Sequence, residues 1–379
     1  MICRGIADDP DILGLIGEAP VRQRRPNLLL AAVHFLLLGG AAHPLADHYD
    51  TVRSITGPGS EALGAGAGPG DGLGPGAGHP PGDAGPGDAG RAGRDVVADF
   101  KDFVMVHRDE LLALIAVRST QTNEVGRCTA LLPALGAIGA GYPDGQPLWL
   151  LDLGTSAGLN LLFDSYAYTY RQRADGSTLV AGHGDALVHL ECVVRGDLGD
   201  LPPLGLPPIA GRTGIDVLPI DPTSDDGADW LLACLWPDNL PRFARLRGAL
   251  ATARNTADPP TVYRGDIIKD LPGVVKAIDT DGPLVVFHSW VAAYLSPERQ
   301  GQLVETLRDL SRERPLHYLY AEAPIETPGL PTPPSPSPGS TSHLATAVVH
   351  LPPGGSVPVR LADMHHHGKW LQWWASGEG

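Results

Sequence analysis

The sequence predicts an α/β protein, with a mostly parallel sheet that ends in an antiparallel hairpin and follows an all-α N-terminal region. Three observations carry this. Before residue 140 the apolar residues recur at three and four, the period of helices packed on one face. From Pro147 onward short apolar runs alternate with helical stretches, the pattern of parallel strands joined by crossover helices. Two late apolar runs, Leu344–Leu351 and Val357–Ala362, lie close enough in the chain to pair antiparallel.

Taken in order, the first element is a helical region over residues 1–56. Arg22, Arg24 and Arg25 precede the apolar run Leu28–Leu38, an arrangement like a secretory leader. The run is only 11 residues, too short for a bilayer, and its basic cluster follows an acidic stretch. It reads as a buried helix opened by Pro26, where a first turn tolerates proline. Gly57–Gly93 then holds 15 glycines and 6 prolines in 37 residues, so 57–94 is expected to be a disordered insertion.

Helical periodicity resumes over 95–144, where Val96, Val97, Phe100, Phe103, Val104, His107, Leu111, Leu114 and Ile115 share a face and Val125–Ile138 supplies another. The α/β part, 145–379, is expected to carry strands at Leu148–Leu153, Ile209–Ile215, Thr261–Arg264, Pro283–His288 and Leu316–Glu322. Helices are expected at Leu159–Ser165, Asp229–Trp236, Asn239–Thr256, Leu271–Ile278 and Pro297–Glu313. Tyr166, Tyr168 and Tyr170 alternate, as do residues around Leu187–Val194, so a β insertion is expected at about 166–208. The tyrosines read as a half-buried strand face or as an aromatic binding wall. Thr327–Ser342, with six prolines, reads as a surface loop, and the late tryptophans as packing for the last strand.

Composition narrows the function classes. Apolar residues are 43% of the chain and charged ones 19%, enough for a proper core. Twenty-eight basic residues against 43 acidic ones give a net charge of −15, which disfavours nucleic acid and anionic membrane surfaces as partners. Cys3, Cys128, Cys192 and Cys234 lie far apart with no zinc-ligand spacing, which fits reduced thiols and a cytoplasmic location.

The strongest local signal is Leu150-Leu151-Asp152-Leu153-Gly154-Thr155-Ser156-Ala157-Gly158-Leu159-Asn160, a buried strand, a glycine-punctuated turn and a helix start. A nicotinamide fingerprint needs glycines where Ser156 and Leu159 stand, which weakens a dinucleotide reading. Asp152, two places before the first glycine, makes the stretch resemble motif I of the S-adenosylmethionine-dependent methyltransferases, with serine in place of the middle glycine. That resemblance implies a Rossmann-like methyltransferase sheet, S-adenosylmethionine as cofactor, and a binding turn built on Asp152, Gly154, Thr155, Ser156, Gly158 and Asn160. It further implies that Asp216, at the end of the second strand, meets the ribose hydroxyls, and that Asp266 lies near the adenine amino group. Asp152 and Asp216 are 64 residues apart, more than one βαβ unit spans, so Asp175 stands as the alternative ribose ligand.

Over most of its length the chain also resembles the bacterial family filed as domain of unknown function 2332. The residues that carry this are Arg25-Pro26-Asn27-Leu28-Leu29-Leu30-Ala31-Ala32-Val33-His34, Thr120-Gln121-Thr122-Asn123-Glu124-Val125-Gly126-Arg127, the Gly154–Asn160 turn, Asp216-Val217-Leu218-Pro219, Trp230-Leu231 with Leu235-Trp236-Pro237, and His367-Gly368-Lys369-Trp370. The resemblance implies a methyltransferase-like domain behind a helical region and names no reaction.

Candidates for the chemistry follow from residue type. Asn123, Glu124 and Arg127 group an amide, a carboxylate and a guanidinium able to orient a polar substrate, or else they form a helix start capped by Thr122 or Asn123. His288, at the end of the fourth parallel strand, is a candidate general base, or a strand-end imidazole bonded to the backbone. His365, His366 and His367 are not expected to hold a metal, because neighbours on a strand point to opposite faces. The expected function is methyl transfer to an unidentified small molecule or protein side chain. The alternatives are a non-catalytic adenosyl-ligand-binding or scaffold protein on the same fold, then a nicotinamide-dependent oxidoreductase.

Overall fold

The computed structural model describes residues 2–21, 24–56, 95–142, 145–280, 282–336, 345–354 and 357–374. The Gly/Pro-rich insertion expected at 57–94 lies outside them. The chain divides into two compact units, one of Met1–Thr122 with Asp225–Arg247 and one of Asn123–Ser224 with Gly248–Gly379.

The first unit is helical. Its centre is Pro26–Leu38, where Pro26 sits in the first turn and Leu28, Leu29, Ala31, Ala32, Val33, His34 and Leu37 are buried. Burial on nearly every side explains a run apolar enough to look like a leader, since each buried leucine contributes about 1.5–3 kcal/mol. His34 is held by Thr51 Oγ1 at 2.7 Å and by the carbonyls of Ala233 and Leu235, and burial pushes its pKa down to about 4. Against Pro26–Leu38 pack Arg108–Val117 and Asp225–Ala233, and Val96–Val106 packs on Arg108–Val117. The Arg118 guanidinium lies over Phe35 and Trp230 at 4.9 and 4.8 Å.

The second unit is mixed α/β. Its strands are β1 Leu148–Leu153, β2 Ala167–Gln172, β3 Thr178–Gly182, β4 His189–Val194, β5 Ile209–Asp216, β6 Thr261–Arg264, β7 Leu284–Ser289, β8 Leu316–Glu322, β9 Ala345–Leu351, β10 Val359–His365 and β11 Trp370–Trp373. They form one sheet in the order β3-β2-β4-β11-β10-β9-β8-β7-β1-β5-β6. The pairs β6-β5-β1-β7-β8 run parallel, and β8-β9-β10 is the expected antiparallel close. Leu151, Leu153, Val286, Leu316 and Tyr318 form a core with Leu303, Val304 and Leu307 of the helix Pro297–Glu313, and with Leu271, Val274 and Val275 of Leu271–Ala277.

Four features differ from expectation. The helix Cys128–Ala140, grouped by sequence with the N-terminal helices, belongs to the sheet-containing unit. Leu159–Ser165 is a 3-10 segment kinked at Leu162 and not an α-helix. Trp370–Trp373 does more than pack, being a strand that pairs antiparallel with β10 and parallel with β4. Through it the insertion strands β2, β3 and β4 join the far side of the sheet, which accounts for the extra chain between β1 and β5.

Tyr166, Tyr168 and Tyr170 are wholly buried, and their hydroxyls donate to the carbonyls of Leu159, Phe163 and Thr129. A buried phenol needs such a partner, so these rings are core and not a binding wall.

Candidate functional site

The five parallel strands, counted in chain order among themselves, lie as 3-2-1-4-5, so the direction of winding reverses between β1 and β7. Ligands of open α/β sheets sit at the carboxyl ends beside that reversal. Here those ends are the turn after β1 and the segment after β7.

The turn takes three left-handed steps, Gly154 at φ 69°, Ser156 at φ 54° and Gly158 at φ 72°. Gly154 is required twice over, by its φ and because a Cβ would meet Val291 Cγ2 at 2.5 Å. Val291, which follows β7, therefore rests directly on the turn. Sequence reasoning missed it, since nothing in a lone valine marks such a contact.

Four of the five amides of residues 154–158 are spent internally. Gly154 N and Thr155 N donate to the Ile215 carbonyl, Ser156 N donates to Asp216 Oδ2 at 2.9 Å, and Gly158 N donates to the Thr155 carbonyl. With a short 3-10 segment behind it, the turn lacks the axial dipole of a long helix.

Two expected acids are at the turn. Asp152 is buried and accepts from Thr155 Oγ1 at 3.0 Å; burial, aided by the charge of Asp216, raises its pKa to about 8. It fastens the turn from beneath. Asp216 ends β5, next to β1, and takes the Ser156 amide on one oxygen and the Leu218 amide on the other. Each carboxylate oxygen keeps a second lone pair. The alternative acid, Asp175, is exposed in the β2–β3 turn with its carboxylate held by Ser177, because the insertion carries it to the other part of the sheet. Asp266 is bound up with Arg299 at 2.6 Å and accepts the amides of Ile268 and Lys269.

Asn123, expected near substrate, donates from Nδ2 to Ser156 Oγ at 2.6 Å and so reaches the turn across 33 residues of sequence. Glu124, not Thr122 or Asn123, caps the next turn by accepting the Gly126 amide. Arg127 is buried and braces two segments, donating from Nη1 to the Ser289 carbonyl at 3.0 Å and from Nε to the His366 carbonyl at 3.1 Å. Between the helix Cys128–Ala140 and the sheet lies a cavity of about 20 Å³, bordered by Arg127, Asn160, Phe287, Ser289, Ala321 and Val348. That is room for roughly one water molecule.

His288 is not placed to act as a base. Its Nδ1 lies 2.7 Å from Glu322 Oε1 and its Nε2 2.7 Å from the Tyr318 hydroxyl. Glu322 Oε1 also accepts the amides of Val291 and Ala292, so it accepts Nδ1–H as well and leaves Nε2 to accept from Tyr318. Both nitrogens are spent, the side chain is wholly buried, and strand alternation turns it to the face opposite Phe287. Glu322 was missed too, although an acid closing an otherwise apolar strand was a readable signal.

The three histidines are nearer each other than strand geometry allows. His365 ends β10, while His366 and His367 enter a turn, so their ligand atoms all lie within 4.8 Å of one another.

Among the described residues no helix is long and apolar enough to cross a membrane. Among curated proteins, none matches this chain. The model of the family of uncharacterized proteins conserved in bacteria, DUF2332, matches residues 1–64 and 84–373, and the chain belongs to that family.

Proposed function

We propose that the chain binds S-adenosylmethionine over the Gly154–Gly158 turn and is a methyltransferase for a small molecule or protein side chain, its sheet being a Rossmann-like methyltransferase sheet. The observation that carries this reading is Asp216, which closes the strand beside β1 with its carboxylate on the turn itself. S-adenosylmethionine, when bound, supplies an electrophilic methyl group on a sulfonium centre. The chain contributes acceptors and shape. Asp216 has lone pairs left for ribose hydroxyls, and Asp152 fixes the turn through Thr155. With four turn amides spent and no long helix behind them, the site suits a ligand rich in hydroxyls and cationic groups better than a pyrophosphate, which disfavours the nicotinamide reading.

Entry requires Val291 to leave Gly154. Trp290, beside it, is a non-glycine residue at φ 57°, a conformation that costs of order 1–3 kcal/mol.

A second reading, a non-catalytic adenosyl-ligand-binding or scaffold protein, is favoured by one observation: the strand-end imidazole is sealed on both nitrogens. Calorimetric titration with S-adenosylmethionine, S-adenosylhomocysteine and NAD, on the wild type and on Asp216→Asn, tests both. Micromolar binding of the two adenosyl ligands, lost in the variant, supports a methyl-donor site. No binding by a folded chain overturns it in favour of the scaffold.

A further inference from the structure

The turn after β10 is the densest group of metal-ligating side chains among the described residues, and the proposed adenosyl site does not use it. The rings of His365 and His366 stack at 4.2 Å between centroids, those of His366 and His367 meet at 4.0 Å, and all three residues are half-buried.

The backbone that presents them is pinned at several points. The His365 carbonyl accepts the Gly368 amide at 2.8 Å, and the His366 carbonyl accepts from Arg127. The Gly368 carbonyl accepts from Thr129 Oγ1 at 3.2 Å. Gly368 itself, at φ 72°, lies so close to Gly126 that a Cβ there would run into the Gly126 carbonyl oxygen. No other residue type fits, and the tightness of that approach is what folds three consecutive histidines onto one side.

We propose that His365, His366 and His367 form a binding site for a divalent late-transition ion of the zinc class, with a coordination position left open to water or an anionic group. Imidazole nitrogens select such ions over magnesium and calcium, which want oxygen ligands. Tetrahedral zinc at about 2.1 Å from each nitrogen needs nitrogens roughly 3.4 Å apart. Closing from 4.8 Å or less takes side-chain rotation about fixed backbone, without refolding of the turn. Without an ion, His365 Nδ1 accepts the His367 amide, and capture exchanges that hydrogen bond for stronger coordination or turns the His365 ring to its other nitrogen. Charge around the site is mixed, with the Glu124 carboxylate and the Lys369 and Arg195 cations acting on His365 in opposite senses. The His366 ring lies 5.8 Å from Trp290, so an ion would border the segment after β7.

The test uses untagged full-length protein, stripped with chelator and titrated with zinc chloride by calorimetry and with cobalt chloride by visible absorption. One ion per chain at micromolar affinity or tighter is expected, with the intense cobalt bands of a low-coordinate nitrogen site. His366→Ala and His367→Gln should each weaken binding by at least about tenfold, while His183→Ala, on an exposed loop, should not. A synthetic peptide of residues 362–369 should bind at least about tenfold more weakly than the folded chain. Equal affinity for the peptide would mean an adventitious ion only and would overturn the proposal. So would no binding by a folded chain, or equal affinity in the His366 and His183 variants.

Discussion

Glu322 Oε1 and His288 Nδ1 lie 2.7 Å apart on neighbouring parallel strands, with neither side chain exposed to solvent. The same oxygen gathers the amides of Val291 and Ala292, so a single carboxylate organises the chain that leaves β7 and lies over the β1 turn.

Glu322→Ala removes the partner of one imidazole and two amides at once, in a largely buried setting. The expected loss is about 3 kcal/mol or more, since each donor left unpaired in the interior costs roughly 1–3 kcal/mol. Urea unfolding followed by circular dichroism measures it; a loss under about 1 kcal/mol would mean the cluster is no keystone.

Asp152 sets a pH dependence of defined sign. Its carboxyl ionises near 3.8 in the unfolded chain and, through burial, near 8 in the folded one. Between those limits the folded chain holds the extra proton, so this group's contribution to stability is full below 3.8 and is lost as pH rises through about 8. Asp152→Asn, neutral at every pH, should gain on the wild type by up to about 1.4 kcal/mol per pH unit across that window. Parallel stability profiles for the two proteins would refute the raised pKa.

Gly154→Ala combines an unfavourable φ with a collision against Val291, and is expected to cost about 1–3 kcal/mol or more. Val291→Ala in the same chain removes the colliding methyls and should recover part of that. Strictly additive effects in the four-protein cycle would show that the two residues do not touch.

Arg127→Lys keeps the charge but gives up the planar fork that holds the Ser289 and His366 carbonyls together. Amide exchange over residues 289–291 and 365–368 should quicken by at least about tenfold, the equivalent of roughly 1.4 kcal/mol of local opening. Unchanged exchange in both segments would reduce Arg127 to a bystander.

What the amino-acid order revealed follows the range of the interactions. Leu148–Leu153 and Leu316–Glu322 are strands whose residues are mostly apolar or aromatic, with Asp152 in the first and His317 and Glu322 in the second as the exceptions, and both were readable from a short window. The alternation of Tyr166, Tyr168 and Tyr170 was equally local, whereas the carbonyls that take their hydroxyls were not. His288 was recognisable as a strand-end imidazole, but its meaning depends on Glu322, which only the β7–β8 pairing brings alongside. Asp216 stood too far along the chain to be matched to the turn by spacing, and the sheet delivers it there through β1–β5 pairing. The histidine turn defeated a rule about strands because Gly368, one residue further on, ends the strand conformation early.

Because Trp370 lies opposite Val193, the strands Ala167–Gln172, Thr178–Gly182 and His189–Val194 gain, among the described residues, their only edge-to-edge link with the other eight strands from a segment made much later. On a ribosome they would emerge early and wait with an open edge, a state prone to pairing with other chains. Such long-range closure also slows folding, since loop entropy is lost before the contact forms. Trp370–Trp373 is thus the rung that closes the open edge of the three early strands.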